Sequence, residues 1–314
     1  VAALERNDAY EALKEAKTAF SMKPESAELA LLAAEAAYAD DDTEAALETF
    51  EKIIADGSLP AKVRSHALTD KAVLEMASGE MRDAAALDLA RALRLDLRNA
   101  RAWYHFGMCA RAARHEQAAF EHFQMATLCE GLAPDRVADL NANVIPALKN
   151  SLESAKKSVG AAKSAEAEKL FKEAQTLKNR ANVRATGQKA IQAAAKAKAD
   201  AKKALAAAYA ADPANFAIVA AYAAQLAADG DDKALDIYRE ACRLKPSSQQ
   251  TYQTAAKVAL KQGAAGAITA CEILSRAFAH DSANRQSVEL YAKALKAAGR
   301  TAEAALYDAY AKEL

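Results

Sequence analysis

The feature that most constrains this chain is a recurring triplet of apolar side chains, mostly small–large–small, whose members lie four and three residues apart. Such spacing puts all three on one face of an α-helix. The triplets are Ala46–Phe50–Ile53, Ala85–Leu89–Ala92, Ala119–Phe123–Ala126, Ala201–Leu205–Ala208, Ala234–Tyr238–Ala241 and Ala270–Leu274–Ala277. A short helix with one apolar stripe cannot bury that stripe alone, so the recurrence predicts stacked helical pairs that share a continuous core.

The unit around Trp103–Ala126 carries a further signature. Trp103, Phe106 and Gly107 precede the triplet that begins at Ala119. This spacing resembles the tetratricopeptide repeat, a helix–turn–helix unit of 34 residues with W-x2-L-G near its start and A-x3-F later. The resemblance implies an all-α fold, a right-handed α-solenoid of such repeats in which the leading helix of each pair lines a concave groove.

The triplets divide the chain into three parts. We expect N-terminal repeats over residues 1–133, a long-helix basic insertion over 134–200, and C-terminal repeats over 201–314. The first repeat keeps only a stub of its leading helix (Val1–Arg6), so we expect the natural protein to continue upstream. A short insertion at about Ala61–Ser65 separates two of the N-terminal units.

The middle part has a different composition, with Phe171 as its one aromatic residue. Three extended helices are predicted there, with glycines at the two breaks, over Asp135–Val159, Ala162–Ala185 and Gln188–Ala211. Between residues 149 and 203 there are 14 Lys or Arg against five Asp or Glu, a net charge of +9 in a chain that is neutral as a whole. This surface is either a docking site for an acidic partner or a solvated face. No aromatics interleave with the basic residues, so nucleic acid is not an expected partner.

Residue sets that carry catalysis or bind metals are not found. No H-E-x-x-H, C-x-x-C or G-x-S-x-G motif is present in the sequence. The four cysteines lie far apart inside helical patterns, and we expect buried free thiols. No enzyme activity, cofactor or metal is therefore predicted. The acidic run Asp40–Asp42 is interpreted as a turn and helix cap, and Gly263-Ala-Ala-Gly266 is interpreted as an interhelical turn.

The location of the protein is weakly determined by the sequence. No segment is apolar for long enough to span a membrane. The cytoplasm is favoured, with the periplasm as the alternative because we expect the natural protein to begin upstream of Val1. The alanine-rich composition favours a bacterial source.

The resemblance places the binding surface on outward-pointing residues of the leading helices. The candidates are Arg101, Tyr104, His105, Met108 and Arg111, then Gln250, Gln253, Lys257, Gln286 and Lys293. Some family members hold a chaperone tail by paired Lys and Asn residues at fixed positions. Here those positions hold Leu31 and Glu35, then Asp70 and Leu74, then Tyr104 and Met108, so that clamp is not expected.

The predicted function is a non-catalytic scaffold that binds a protein, as a peptide or a partner helix, in the groove. The alternative is a self-associating component of an envelope or secretion assembly. Arg and Tyr are enriched at the energetic centres of interfaces, so the Arg101–Arg111 cluster is the first place to look.

Overall fold

The computed structural model describes residues 14–16, 18–19, 22–23, 26–39, 42–78, 82–155, 161–182 and 188–314. These residues form helices joined by turns, with no strand among them. The chain divides into two compact units, Val1–Asn150 and Ser151–Leu314, here called unit 1 and unit 2. Predictions for the stub Val1–Arg6, for Asp40 and Asp41, and for the breaks at Gly160 and Gly187 lie outside the described residues.

Unit 1 is a run of helical pairs. Its helices are α1 (Ala27–Ala39), α2 (Thr43–Ala55), α3 (Ala61–Ser78), α4 (Arg82–Leu95), α5 (Ala100–Ala112), α6 (Glu116–Leu128) and α7 (Pro134–Asp139). A π turn (Leu140–Val144) follows α7 and leads into α8 (Ile145–Ala155), which continues past the end of unit 1 at Asn150. The pairs are α1 with α2, α3 with α4, and α5 with α6, and neighbouring leading helices also contact each other.

Unit 2 repeats this arrangement with one longer pair at its start. Its helices are α9 (Ala161–Ala181), α10 (Gln188–Ala211), α11 (Phe216–Asp229), α12 (Ala234–Leu244), α13 (Gln249–Leu260), α14 (Gly263–His280), α15 (Arg285–Ala297) and α16 (Thr301–Glu313). Each odd-numbered helix packs on the even-numbered one that follows it. The boundary predicted at residue 200 falls inside α10, which is continuous, and the division into three parts stays a prediction.

The recurring triplets form the core, as predicted. All six triplets are buried, and Phe50, Leu89, Phe123 and Leu274 are among the largest fully buried side chains of the described chain. Gly107 lies where α5 approaches α6 most closely, because a Cβ atom on it would be 2.7 Å from the ring of Phe123. The third predicted middle helix is found with its predicted bounds, Gln188–Ala211. The first is interrupted by the π turn.

The turns between repeats share an Asp-x-x-Asn motif that the triplets did not reveal. It occurs three times, at Asp96–Asn99, Asp212–Asn215 and Asp281–Asn284. In each case the aspartate side chain accepts a hydrogen bond from the backbone N–H two residues later. The asparagine side chain then accepts from the first turn of the next leading helix and caps it. The motif therefore ends one repeat and begins the next.

A buried polar relay links successive repeats in unit 1. The amide of Asn99 donates to Ser65 Oγ at 2.9 Å and to Thr69 Oγ1 at 3.0 Å. Ser65 in turn donates to the carbonyl of Ala92 near the end of α4. Ser65 and Asn99 are 34 residues apart. These bonds satisfy side chains that are almost fully buried and fix how the pair α3–α4 meets α5.

Unit 2 has an equivalent relay built from other residues. Gln253 donates its amide to Ser287 Oγ at 3.0 Å, again across 34 residues, and to Asn284 Oδ1 at 3.2 Å. Ser287 donates to Gln249 Oε1, and the amide of Gln249 donates to the carbonyl of Ala277 near the end of α14. The hydrogen bonds of both relays therefore show a repeat length of 34 residues, in addition to the spacing of the apolar triplets.

Two local predictions differ from the structure. The insertion expected at Ala61–Ser65 is the first part of α3, which has 18 residues where α5 has 13. The extra residues are thus absorbed as added helix rather than as a loop. Gly263 and Gly266 were expected in an interhelical turn, but α14 begins at Gly263 and Gly266 lies in its first turn. Asp42 caps α2 as expected, accepting from the backbone N–H of Ala45.

Candidate partner-binding face

The leading helices α1, α3 and α5 bring three charged side chains together in unit 1. Arg101 Nη2 donates to Asp70 Oδ1 at 2.5 Å, and Arg101 Nη1 donates to Glu35 Oε1 at 3.5 Å. We call Glu35, Asp70 and Arg101 the groove cluster. Each helix contributes one member, so the cluster marks a face that the three leading helices share, here called the leading-helix face of unit 1.

Asp70 is the buried member of the groove cluster. The residue is 6% exposed, and its Oδ2 atom has no hydrogen-bond partner among the described residues. Burial raises the pKa of Asp70 to about 7, against the effect of Arg101, which lowers it, and with that of Glu35, which raises it. Burial disfavours the charged carboxylate, and one guanidinium does not neutralise two carboxylates.

Tyr104 and His105 lie beside the groove cluster on α5. The guanidinium of Arg136, on α7, lies over the Tyr104 ring with its central carbon 5.1 Å from the ring centroid. The His105 ring meets the Tyr104 ring edge-on at 5.2 Å. Burial, followed by the charges of Arg101 and Arg136, lowers the pKa of His105 to about 4. The imidazole is therefore neutral at physiological pH, and the positive charge of this face comes from arginine.

No protein-family model and no curated protein sequence matches the chain significantly. The chain is similar to the TPR2AB domain of yeast Sti1 in its pHSP90 complex (18% identity, 93% of this chain and 94% of that one, TM-score 0.31). It is also similar to the TPR domain of P58(IPK) (15%, 91% and 92%, TM-score 0.36) and to human IFIT1 with m7Gppp-AAAA (12%, 96% and 57%, TM-score 0.27).

The fold is decided by the spacing of the repeats within this chain. Helix pairs whose relays join residues 34 apart have the repeat length expected from the resemblance. The chain has the tetratricopeptide-repeat fold. The handedness of the array and its concave groove stay predictions.

The other two binding residues predicted on α5 are exposed to solvent. Met108 and Arg111 are exposed, Arg111 in the last turn of the helix. The thiol of the adjacent Cys109 lies 3.6 Å from the sulfur of Met76 on α3. Trp103 donates its indole N–H to the carbonyl of Leu97 and contacts the His122 ring, as expected for a residue that supports the repeat.

In the repeats of unit 2 the predicted residues separate into two groups. Gln250, Lys257, Gln286 and Lys293 are exposed on the leading helices α13 and α15. Gln253 is half-buried and belongs to the relay, so its amide is used inside the repeat array. The structure does not gather these five side chains around a charged centre like that of unit 1.

In the sequence, Glu35 and Asp70 stand out only as departures from the chaperone clamp. The structure places both in the groove cluster. Both residues lie on leading helices, at the positions compared with the chaperone clamp, which could have drawn attention to them. Their partner Arg101, however, comes 66 residues after Glu35 and 31 residues after Asp70. His66 and Arg136 were not predicted at all. Burial, followed by Arg101 and Lys62, lowers the pKa of His66 as well.

A second ionic network lies between α3 and α4. Lys71 Nζ donates to Glu75 Oε1 at 2.6 Å and to Asp88 Oδ2 at 2.5 Å, and Arg91 approaches Asp88 at 3.5 Å. Burial by itself would lower the pKa of Lys71, but Asp88 and Glu75 raise it. Because its members join the two helices of one repeat, we interpret this network as structural.

Across the described part of the chain, no group of His, Cys, Asp or Glu has the arrangement of a metal site, and no helix is both long and apolar enough to cross a membrane. Cys242 and Cys271 are buried thiols as expected, whereas Cys109 and Cys129 are half-buried. Burial raises the pKa of Cys242 to about 12.

Proposed function

We propose that the chain is a non-catalytic scaffold that binds a protein partner, as a peptide or a helix, on the leading-helix face of unit 1. The observation that carries the proposal is the groove cluster. A salt bridge with a buried carboxylate contributes little to stability on balance, because desolvation offsets the Coulomb attraction. Unit 2 builds the same repeats with surface ion pairs such as Lys202–Asp229 and Arg285–Glu289. The repeat can therefore form without a charged cluster of this kind, which leaves the groove cluster available for binding.

The residues around the cluster are of the kinds that binding surfaces use. Arg101 is 36% exposed at its side chain, and Met108 is exposed one turn beyond Tyr104. Arg and Tyr dominate interface hot spots, and Met adapts to irregular partners. These positions lie on successive turns of α5, which gives an extended partner a continuous line of contacts.

The test uses exposed positions, because Arg101→Glu would place three carboxylates together and disturb the fold. Met108→Glu combined with Arg111→Glu is expected to weaken partner capture at least tenfold while far-UV circular dichroism and Trp103 fluorescence stay unchanged. Capture is measured by pull-down followed by photocrosslinking from position 104 and mass spectrometry, which maps the partner to this face. The matched control, Lys196→Glu with Lys203→Glu, also introduces two glutamates, at exposed positions of α10.

The two outcomes are distinct. If the α5 variant recovers the partner as well as the wild type does, the face is wrongly assigned. If the α10 control loses the partner instead, the basic helical pair is the docking site.

Self-association is the second candidate function, and the charge of the pair α9–α10 favours it. Its exposed basic residues are Lys163, Lys169, Lys172, Lys178, Arg180, Lys189, Lys196, Lys198 and Lys203. A basic surface on a neutral chain complements acidic surface on a second copy. Light scattering across concentration, at low and high salt, tests this: salt-sensitive oligomers support self-association, and a monomer throughout contradicts it.

A further inference from the structure

We propose that the groove cluster receives a cationic side chain of the partner, an ammonium or a guanidinium, against Glu35 and Asp70. The inference rests on the proposed function and names the chemistry that the leading-helix face of unit 1 recognises. A lysine or arginine of the bound peptide would take this position.

The first argument is a count of charges and hydrogen bonds. Two carboxylates face one guanidinium, and Arg101 holds them unequally, at 2.5 Å from Asp70 and 3.5 Å from Glu35. Asp70 Oδ2 is buried and accepts no hydrogen bond among the described residues. A buried polar atom without a partner is costly, and native structures rarely leave one. An incoming N–H donor satisfies this oxygen and balances the second negative charge.

The second argument is access. The side chains of Glu35 and Arg101 are 31% and 36% exposed, whereas that of Asp70 is 7% exposed. Glu35 and Arg101 thus form the outer part of the cluster and Asp70 its inner end. Tyr38 is 37% exposed and follows Glu35 by three residues on α1, so both are on one face of the helix. Its ring offers a surface for the aliphatic stem or the charged end of a basic side chain.

The opposite chemistry, an anion bound by the arginines, is less well supported. Arg101 already donates to both carboxylates, and Arg136 lies over the Tyr104 ring. The lowered pKa values of His66 and His105 leave both imidazoles without charge near neutral pH. An anion would also lie next to a buried carboxylate oxygen that lacks a partner. Binding of an anion is therefore kept as an outcome of the test.

The arrangement links cation binding to a proton. With a pKa of about 7, Asp70 is half protonated near neutral pH. A second cation beside the carboxyl lowers its pKa. Binding then releases a proton, and affinity increases as the pH rises through 7. The titratable and charged groups around the cluster are Glu35 on α1, Lys62 and His66 on α3, Arg101 and His105 on α5, and Arg136 on α7.

The experiment follows the Asp70 carboxyl directly. Its carbon chemical shift is recorded by NMR against pH, alone and with N-acetyl-arginine amide, N-acetyl-citrulline amide or N-acetyl-glutamate amide. Citrulline has the shape of arginine without its charge. We expect the arginine probe to move the Asp70 midpoint down by about one pH unit or more, because an opposite charge at this range lowers a carboxyl pKa by that amount. The citrulline probe should leave it in place.

Variants assign the effect to the cluster. Asp70→Asn keeps the shape of the side chain but removes the charge, and it should weaken binding of the arginine probe about tenfold or more. Glu289→Gln, which removes an exposed carboxylate paired with Arg285 on a leading helix of unit 2, is the matched control and should bind normally. If Asp70→Asn unfolds part of unit 1, the midpoint measurement on the wild-type chain still decides.

The outcomes separate this inference from the proposed function. An unmoved Asp70 midpoint, an equal response to citrulline, or a response to the glutamate probe alone overturns the cationic site. If the α5 variant still loses partner capture in that case, the proposed binding face stands and only the cationic site is wrong. Conversely, if the α5 variant captures the partner as well as the wild type does, the proposed binding face is wrong, whatever the result with the probes.

Discussion

Units 1 and 2 build the same repeat with different side chains. Both place an asparagine cap at the start of a leading helix and tie it to the previous repeat through a relay that spans 34 residues. Both relays use neutral amides and hydroxyls, and unit 1 adds on its leading helices the groove cluster with the buried carboxylate of Asp70. The difference teaches that the spacing of repeats depends on the relay and the apolar triplets, and that charge on the leading helices is free to serve binding.

The largest effect is expected where helices approach most closely. A Cβ atom on Gly266 would lie 1.9 Å from the carbonyl oxygen of Ala259, so Gly266→Ala forces the backbone of α13 and α14 apart. A Cβ on Gly107 would meet only the Phe123 ring at 2.7 Å, and a ring can tilt. We expect a loss of about 3 kcal/mol or more in unit 2 and about 1–3 kcal/mol in unit 1.

Denaturant unfolding measures both losses. Circular dichroism follows the helices, and fluorescence of Trp103, the one tryptophan of the chain, follows unit 1. Gly57→Ala is the control, since nothing lies within 4 Å of its added Cβ. A larger loss from Gly107→Ala than from Gly266→Ala would show that the contact in unit 1 is the more rigid one.

The next effect compares the two relays. Asn99→Ala removes a helix cap and leaves the buried hydroxyls of Ser65 and Thr69 without a donor, so we expect a loss of about 2 kcal/mol in the free energy of unfolding. Gln253→Ala removes bonds from a half-buried amide, and we expect about 1 kcal/mol. Gln250→Ala, at an exposed neighbouring position, should change little. Equal losses from Asn99→Ala and Gln250→Ala would contradict a role for the relay.

A pH series tests the charge that distinguishes unit 1. The pKa of Asp70 is raised from 3.8 to about 7, so the folded state holds a proton that the unfolded state releases. Its contribution is complete below about pH 4 and is lost as the pH rises through 7, with a slope of at most about 1.4 kcal/mol per pH unit. Asp70→Asn should flatten this decline between pH 5 and 8. Glu289→Gln should retain the wild-type slope, and a wild-type slope in Asp70→Asn would disprove the assignment.

The smallest effect concerns the acid side of the same series. The pKa of His105 is lowered from 6.5 to about 4, so the unfolded state takes up a proton that the folded state refuses. The stabilisation is present above pH 6.5 and is lost as the pH falls towards 4. His105→Gln should therefore lose less stability than the wild type between pH 6.5 and 4.5, as measured by denaturant midpoints. An unchanged acid limb would mean that His105 is better solvated than its position implies.

The sequence was informative where function and fold depend on periodicity. The triplets and the bounds of α10 followed from helical spacing, because burial of one helix face leaves a direct record in the order of residues. The Asp-x-x-Asn turns are equally visible in the sequence, but they are polar and do not appear in the spacing of apolar residues. The extra residues at the start of α3 were taken for a loop, since an insertion that continues a helix has no distinct composition.

The candidate site was harder to predict for a physical reason. Arg101 was named, but its partners Glu35 and Asp70 lie on helices that are far apart in sequence. Their charges come together only when the repeats stack. The sequence does not distinguish a carboxylate that stacking buries from one that stays in solvent. Gln253 shows the same limit, because an amide used inside the array looks like an exposed one in the sequence.

The π turn at Leu140–Val144 is a place where the chain holds one residue more than an α-helix needs. One added residue rotates everything after it by about 100° around the helix axis. Leu140 is buried, so it anchors the point at which this rotation begins. The extra residue is accommodated inside the helix, without a loop. A deletion of one residue there would rotate α8 by about 100° relative to α7 and so change which of its side chains face the rest of the structure.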